Sequence, residues 1–270
     1  MIPDWNPLAL TIGCRRVFAF ASSFTCQTEL PQGTKDMLFR QLYDNETSTY
    51  TYLIADEKTK EAVLVDPVLE QVERDGKLIQ ELGLKLRYCL ETHIHADHIT
   101  GTQKLRELTS CEGIVPENAQ VACANRSIKD GEVLQLGDVE IKAIATLGHT
   151  DSHMSYLVNQ DRVLTGDSLL IRGCGRTDFQ SGNPGLMYDR VTQKIFTLPD
   201  ETLVYPGHDY RGHTVSTIGE EKKYNPRFVG KDRASFIEFM RNLNLPNPQK
   251  IAEAVPANQQ CGDVSVIAKV

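Results

Sequence analysis

Alternation between apolar and polar positions runs through the chain from Met37 onward, and its period changes from element to element. MLFRQLY, STYTYLIA and EAVLVD carry aromatic and β-branched residues between turn-like breaks at Asp44-Asn45 and Asp56, which predicts strands over residues 37–66. Val68, Val72, Ile79 and Leu82 then fall at helical spacing with Gly83 as a stop, so a helix is predicted over 68–82, with Asp75-Gly76 as a competing turn signal. Strand character returns in LKLRYCLET (84–92), which runs directly into a group of histidines. Gly137-Asp138 splits KDGEVLQLGDVEIKAIAT into two alternating runs, a hairpin pattern. HMSYLV and RVLTGD read as short strands, MYDRVTQKIFTL (187–198) as a helix, and TLVYPGH (202–208) as a strand ending on a histidine. Helical patterning follows, clearest from Arg233 to Leu243. The strand runs outnumber the helices available to connect them. Two packed sheets with helices outside therefore fit better than one parallel sheet.

Composition narrows the function classes. The 270 residues include 29 Lys+Arg against 36 Asp+Glu, a net charge of −7, with 40% hydrophobic and 24% charged residues. This is a globular composition, sized for one large domain or one domain with an appendage. The acidic balance supplies no excess of cations to neutralise phosphates, which argues against a nucleic-acid partner. Apolar runs such as Val17 to Ala21 are far short of the roughly 20 residues a spanning helix needs, so no membrane partner is expected. Residues 1–36 are expected to form a poorly ordered leader, with Met37 as an alternative start. No acidic residue lies between Asp4 and Glu29, and Arg15 and Arg16 fall in that stretch. A transit peptide to a mitochondrial or other organelle matrix is thus the alternative to a cytoplasmic location, which is the expectation here. The seven cysteines, at 14, 26, 89, 111, 123, 174 and 261, form no CxxC pair and read as reduced intracellular thiols.

The strongest chemical signal is Thr92-His93-Ile94-His95-Ala96-Asp97-His98, three imidazoles and a carboxylate directly after an apolar strand. Imidazole with carboxylate suits Zn, Fe, Mn or Co. On an extended backbone His93 and His95 share a face, and a turn brings Asp97 and His98 to a neighbouring position. His149, Asp167 and His208 each follow a glycine at a strand end, where a rigid scaffold usually presents reactive groups. Taken singly each has a bland structural explanation; together they indicate a metal site.

HIHADH, followed by GHT at 148–150, GDS at 166–168 and GH at 207–208, resembles the metallo-β-lactamase superfamily. That resemblance implies an α/β fold, a four-layer αββα sandwich over residues 37–210 with metal at one edge of its sheets. It also leaves a small helical C-terminal extension, 211–270, packed on the catalytic domain. LLIRGCGRTDFQSG (169–182), YPGHDYRGHTVSTIGEEKKYNPR (205–227) and NLNLPNPQKI…AVPAN (242–258) are similar, more narrowly, to the persulfide dioxygenases. The family likeness implies oxidation of glutathione persulfide with O₂ to sulfite and glutathione at one non-haem Fe(II) per chain. Its ligands match His93, His149 and Asp167 here, a two-His-one-carboxylate set that leaves open positions on the metal.

His95, Asp97, His98, His208 and Asp209 are expected to orient those ligands. Alternatively they hold a second metal, giving a glyoxalase-II-like thiolesterase with two Zn ions and a bridging Asp167. The short chain after His208 favours the dioxygenase. Arg176, Tyr210 and Arg227 are candidate contacts for the carboxylates of glutathione, since Arg can clamp a carboxylate with two parallel hydrogen bonds. Cys174 and Cys261 are candidate persulfide-reactive thiols weighed against buried inert ones. A homodimer is the expected assembly.

Overall fold

The structure is a computed structural model and describes residues 37–246, 248 and 250–265; the expected leader over 1–36 lies outside them. The first patterned segment forms β1 (Met37–Asp44), β2 (Thr49–Asp56) and β3 (Glu61–Val65). Successive side chains of β2 alternate between faces as strand geometry requires. Tyr50, Tyr52 and Ile54 enter the core between the sheets, whereas Leu53 and Ala55 face the outer helices. The predicted helix starts as a short 3-10 turn and continues as α1 (Val72–Glu81), running through Asp75-Gly76. Burial of Val72 and Ile79 under the sheet outweighs that local turn signal. β4 (Lys85–Leu90), α2 (Thr102–Thr109), β5 (Glu112–Pro116) and β6 (Arg126–Ile128) complete a six-stranded sheet in the order β1-β2-β3-β4-β5-β6.

The hairpin at Gly137-Asp138 forms as β7 (Val133–Leu136) and β8 (Val139–Ala145), followed by β9 (Met154–Val158) and β10 (Arg162–Gly166). After α3 (Pro184–Arg190), which runs on as a wider π turn to Ile195, come β11 (Leu203–Pro206) and β12 (Ser216–Thr217). The second sheet has the order β12-β11-β10-β9-β8-β7. It is backed by α3, α4 (Ile218–Tyr224) and α5 (Arg233–Arg241), whose Met187, Ile218, Phe236 and Met240 pack on Val163 and Val204. Between the sheets, Tyr52, Ile54, Val63 and Leu90 meet Leu136, Ile141, Tyr156 and Leu164. The architecture is the expected αββα sandwich. Among the described residues no helix is long and apolar enough to cross a membrane.

Strand direction gathers the chemistry. β8 and β10 both run antiparallel to β9, and β10 pairs in parallel with β11, so these three strands end at one edge. β3 and β4 are parallel and end beside each other in the first sheet. Cross-links between the sheets close that edge: Met154 N donates to Thr92 O at 2.8 Å, and Tyr156 Oη to Glu91 O at 2.6 Å.

The last helix, α6 (Ile251–Asn258), ends on Asn258, a buried side chain that grips the histidine loop. Its Nδ2 donates to His95 O at 2.9 Å and His98 O at 2.8 Å, and its Oδ1 accepts from Thr100 N at 2.9 Å. Asn258→Ala would strand three buried backbone groups, each worth about 1–3 kcal/mol. We expect a loss of about 3 kcal/mol, read as a fall of roughly 6–12 °C in Tm by calorimetry. An unchanged Tm would mean that this tie carries no load.

Candidate metal centre

His93, His149 and Asp167 converge from both sheets, each offering a ligand atom within 4.8 Å of the others. His93 follows β4. Its Nδ1 donates to Thr92 Oγ1 at 2.9 Å, because that hydroxyl in turn donates to Asp66 Oδ2 at 2.8 Å. Nε2 is thereby left with a free lone pair. Burial, together with the imidazoles of His95, His149, His153 and His208, holds His93 well below the usual histidine range. It therefore stays neutral, as a ligand must. His149 follows Gly148, whose φ of +138° and 2.4 Å gap between a notional Cβ and Met187 N admit only glycine. Its Nδ1 donates to Arg176 O at 2.7 Å, which turns Nε2 towards Asp167 Oδ2 at 3.4 Å.

Asp167 ends β10, and its Oδ1 is buried with no hydrogen-bond partner. An unpartnered buried carboxylate oxygen beside two free imidazole lone pairs fits a divalent cation. The donor set has no thiolate, and it leaves further coordination positions open.

The other predicted ligands lie alongside this set. His95 Nε2 is 3.1 Å from Asp66 Oδ1 and 3.4 Å from Glu91 Oε2. Burial would depress its pKa, but these two carboxylates more than offset that and hold it well above the ordinary value. His98 Nδ1 donates to Asp97 Oδ2 at 2.8 Å, leaving His98 Nε2 buried without a partner. His208 Nδ1 points at Ser48 O at 3.3 Å, and its Nε2 lies 3.6 Å from both Asp97 Oδ2 and Asp167 Oδ1. His95, Asp97 and His98 form a second group of potential donors within 4.8 Å. Asp209 lies beside this edge, next to His208, and accepts from Arg211 N at 2.8 Å and His213 N at 2.7 Å, shaping the loop after β11.

A cavity of about 740 Å³ opens over Asp97, His149, Asp167 and His208. Of the candidate substrate contacts, Tyr210 stacks on His208 with ring centroids 6.0 Å apart and remains largely exposed. Arg176 lines the cavity, but its guanidinium is committed to Asp178 at 2.7 Å and to Pro246 O at 2.6 Å. Arg172 pairs with Glu220 and Glu221, and Lys250 with Glu46 at 2.8 Å. Arg227 differs: its guanidinium lies 4.9 Å over the Phe239 ring and has no ion pair among the described residues.

Sequence reasoning missed the residues behind the ligands. His153 Nε2 accepts from Asp167 N at 3.0 Å, and its Nδ1 lies 2.9 Å from Thr146 Oγ1, so both ring nitrogens orient rather than ligate. Asp66 closes EAVLVD at a strand end, the same position as the recognised ligands, and that signal was available. Glu91 accepts from Thr100 and Thr102 hydroxyls at 2.5 and 2.6 Å.

The expectation of reduced thiols fails for one pair. Cys123 and Cys261, 138 residues apart, form a disulfide that joins the end of α6 to the segment between β5 and β6. Sequence spacing gives no sign of it, because only the fold brings these positions together. Cys261 is therefore not a free reactive thiol. Cys174 is unpaired, but burial pushes its pKa up to about 12, and its Sγ packs 3.8 Å from Met240 Sδ. It stays an inert thiol.

Gly175 N donates to Asp167 O at 2.7 Å, and a Cβ on Gly175 would come within 2.5 Å of Asp167 O and 2.8 Å of His149 Nδ1. Gly175→Ala must displace one ligand or the other. We expect metal retention against a chelator to fall at least about tenfold with little change in the circular dichroism spectrum. Parental retention would show that the loop yields without moving the ligands.

Comparison with known proteins fits this geometry. The Metallo-beta-lactamase superfamily profile matches residues 44–208. The mitochondrial persulfide dioxygenase ETHE1 of Mus musculus is 49% identical over 228 residues, 84% of this chain and 89% of the relative. The crystal structure of ETHE1 from Myxococcus xanthus aligns with a TM-score of 0.81 at 56% identity, covering 83% of this chain and 99% of that one. A hydroxyacylglutathione hydrolase of Dictyostelium discoideum is 33% identical over 220 residues, 76% of this chain and 78% of its own. The expected cytoplasmic location is overturned, since the mouse, bovine and human relatives are all mitochondrial by name. Net charge and cysteine spacing report on solubility and pairing and carry no compartment address. With donors, fold and relatives in agreement over most of its length, the chain belongs to the persulfide dioxygenase family of the metallo-β-lactamase superfamily.

Proposed function

We propose that this chain oxidises glutathione persulfide with O₂ to sulfite and glutathione, using one Fe(II) held by His93, His149 and Asp167. One persulfide, one O₂ and one water balance as glutathione, sulfite and two protons. The observation that carries the reading is the match at 49% identity to a persulfide dioxygenase across most of both chains. The donor set supports it: two neutral imidazoles and one carboxylate leave a divalent ion with net positive charge to attract a persulfide anion. Bound Fe(II) supplies the one-electron chemistry that spin-paired sulfur and triplet O₂ cannot carry out directly.

The protein's own part is to hold and to exclude. Thr92 and Arg176 O fix the tautomers of His93 and His149 from opposite sheets, so both Nε2 atoms face inward before any ion arrives. The cavity falls within the range of small-molecule sites and provides room for a tripeptide. Arg227, which lines the cavity and has no ion pair among the described residues, is placed to clamp a glutathione carboxylate. Tyr210 flanks the mouth and offers a phenolic donor. Mitochondrial placement is supported by the relatives' names and by Arg15 and Arg16 in the stretch between Asp4 and Glu29 that carries no acidic residue.

A second reading, a two-metal thiolesterase, draws on a separate observation. His98 Nε2 and Asp167 Oδ1 are both buried without partners, and His208 Nε2 lies 3.6 Å from Asp97 and from Asp167. The hydrolase from Dictyostelium discoideum points the same way. The two readings differ in what Asp97 does. In the dioxygenase Asp97 only orients His98 and His208, whereas Asp167 ligates.

Asp167→Asn is therefore expected to abolish iron binding and persulfide-dependent O₂ uptake. Asp97→Asn should lose only about 10–100-fold and keep measurable iron. Metal analysis with an oxygen electrode decides between the readings. Equal metal loss in both variants, with two zinc ions and thioester cleavage in the parent, would establish the hydrolase instead. Arg227→Ala should raise KM for glutathione persulfide about tenfold or more with a smaller effect on kcat. An unchanged KM would remove Arg227 from the substrate contacts.

A further inference from the structure

A buried polar node lies behind the loop that carries Gly175 and Arg176. Glu221, on α4, is 0% exposed and accepts four hydrogen bonds. Its Oε1 takes Ser216 Oγ at 2.6 Å and the Arg172 guanidinium. Its Oε2 takes Arg172 N at 2.9 Å and Asn225 Nδ2 at 2.9 Å. Asn225, also 0% exposed, sends the same amide group to Leu170 O at 3.2 Å and Gly173 O at 2.9 Å. Its Oδ1 accepts from Arg227 N at 2.9 Å. Leu170 and Gly173 also exchange a pair of backbone hydrogen bonds, both at 3.0 Å. Between them Arg172 sits at φ 58°, a left-handed conformation that a non-glycine residue keeps only when its surroundings impose it.

Neither Glu221 nor Asn225 lines the cavity, but Leu170, Arg172, Gly173 and Arg227, which they hold, all do. The turn they fix leads within a few residues to Gly175 N, which holds Asp167 O, and to Arg176 O, which sets the tautomer of His149. The backbone that Asn225 fixes on its other side carries Arg227. One buried pair thus braces both the metal edge and Arg227, a cavity cation with no ion pair among the described residues.

We propose that Glu221 and Asn225 are positioning residues for this site, holding His149 and Arg227 in register with each other through the 170–176 loop and the Arg227 backbone. The inference builds on the dioxygenase reading for its substrate and on the donor geometry for its metal. Removing Asn225 takes from Leu170 O and Gly173 O their side-chain donor, leaving only the Leu170–Gly173 backbone pair to hold the turn, and takes from Arg227 N its acceptor. The turn must then relax, and His149 loses its fixed carbonyl partner.

The test uses the full-length, iron-loaded protein. Asn225→Ala and Glu221→Gln should raise KM for glutathione persulfide about tenfold and weaken Fe(II) retention against a chelator about 10–100-fold. The fall in kcat of the loaded enzyme should be smaller than the rise in KM. Ser216→Ala removes a donor from the same carboxylate without touching the loop. It should lower Tm while leaving KM and Fe(II) retention at parental values. If Asn225→Ala lowers Tm alone, with KM and retention unchanged, the node is only a brace and the proposal is overturned. Should these variants fail to fold, Arg172→Gln at its partly exposed position poses the same question from the loop side. Weaker retention there supports the proposal, and parental retention defeats it. A parent that binds iron but consumes no O₂ with the persulfide would sink the dioxygenase reading, and the retention measurements would still decide on the node.

Discussion

Asp66 sits where β3 ends, almost completely buried, and accepts from Thr92 N at 2.7 Å, Thr92 Oγ1 at 2.8 Å and His95 Nε2 at 3.1 Å. The parallel pairing of β3 with β4 brings this carboxylate beside the histidine loop, since parallel strands end on the same side. Without Asp66, the Thr92 hydroxyl would have no acceptor to define its direction, and His93 would have no reason to present Nε2 rather than Nδ1. His95 would also lose the nearer of the two carboxylates that occupy its outer nitrogen. A buried anion with three donors is costly to form and far more costly to break, so it specifies one arrangement of the loop. The opposite sheet answers with Arg176 O on His149. Asp167 lies between two imidazoles fixed independently from either side.

Much of this was legible in the order of residues, and the parts that were not share a cause. Strand periodicity gave β1 to β4 and β7 to β11 because each turns an apolar face to a core, with β7 and β8 alternating buried and exposed positions. β6 has three residues, too few to show a period, and β5 (EGIVP) carries a Gly and a Pro that mask its strand character. The potential donors that the fold brings together were legible because each stands at a strand end within HIHADH, GHT, GDS or GH, a local pattern. Residues that act on those ligands from a distance left no local trace. Asn258 grips the histidine loop from the end of a helix that contains Pro256, a residue that on propensity alone argues against a helix there. Arg176 looked like a free carboxylate clamp only because its pairing with Asp178 and Pro246 depends on tertiary geometry. The Cys123–Cys261 bond is the extreme case.

The same scaffold hosts oxidation in one branch and hydrolysis in another, and the difference comes down to which imidazoles keep a free nitrogen. His93 and His149 each have one ring nitrogen tied to the protein and one aimed at the ion. His153 has neither, since both its nitrogens are engaged. His208 is intermediate, poised between two carboxylates. Small shifts in outer partners can therefore change how many ions an otherwise constant edge will hold, without altering a single strand.

The two sheets are also consecutive in the chain, the first finished at Ile128 and the second begun at Val133. On a ribosome the first sheet is complete while the strands that will cover Tyr52, Ile54, Val63 and Leu90 are still unmade. His93 emerges early, but its partners His149 and Asp167 belong to the later half, so no ion can be caught until that half has docked. Asn258 and Cys261 leave the exit tunnel later still, and with them come further ties on the histidine loop. Assembly of the reactive edge is thus deferred until all of these segments have emerged. Until then a nascent chain carries a greasy open sheet, and it becomes a metal-binding protein only when the second sheet closes over it.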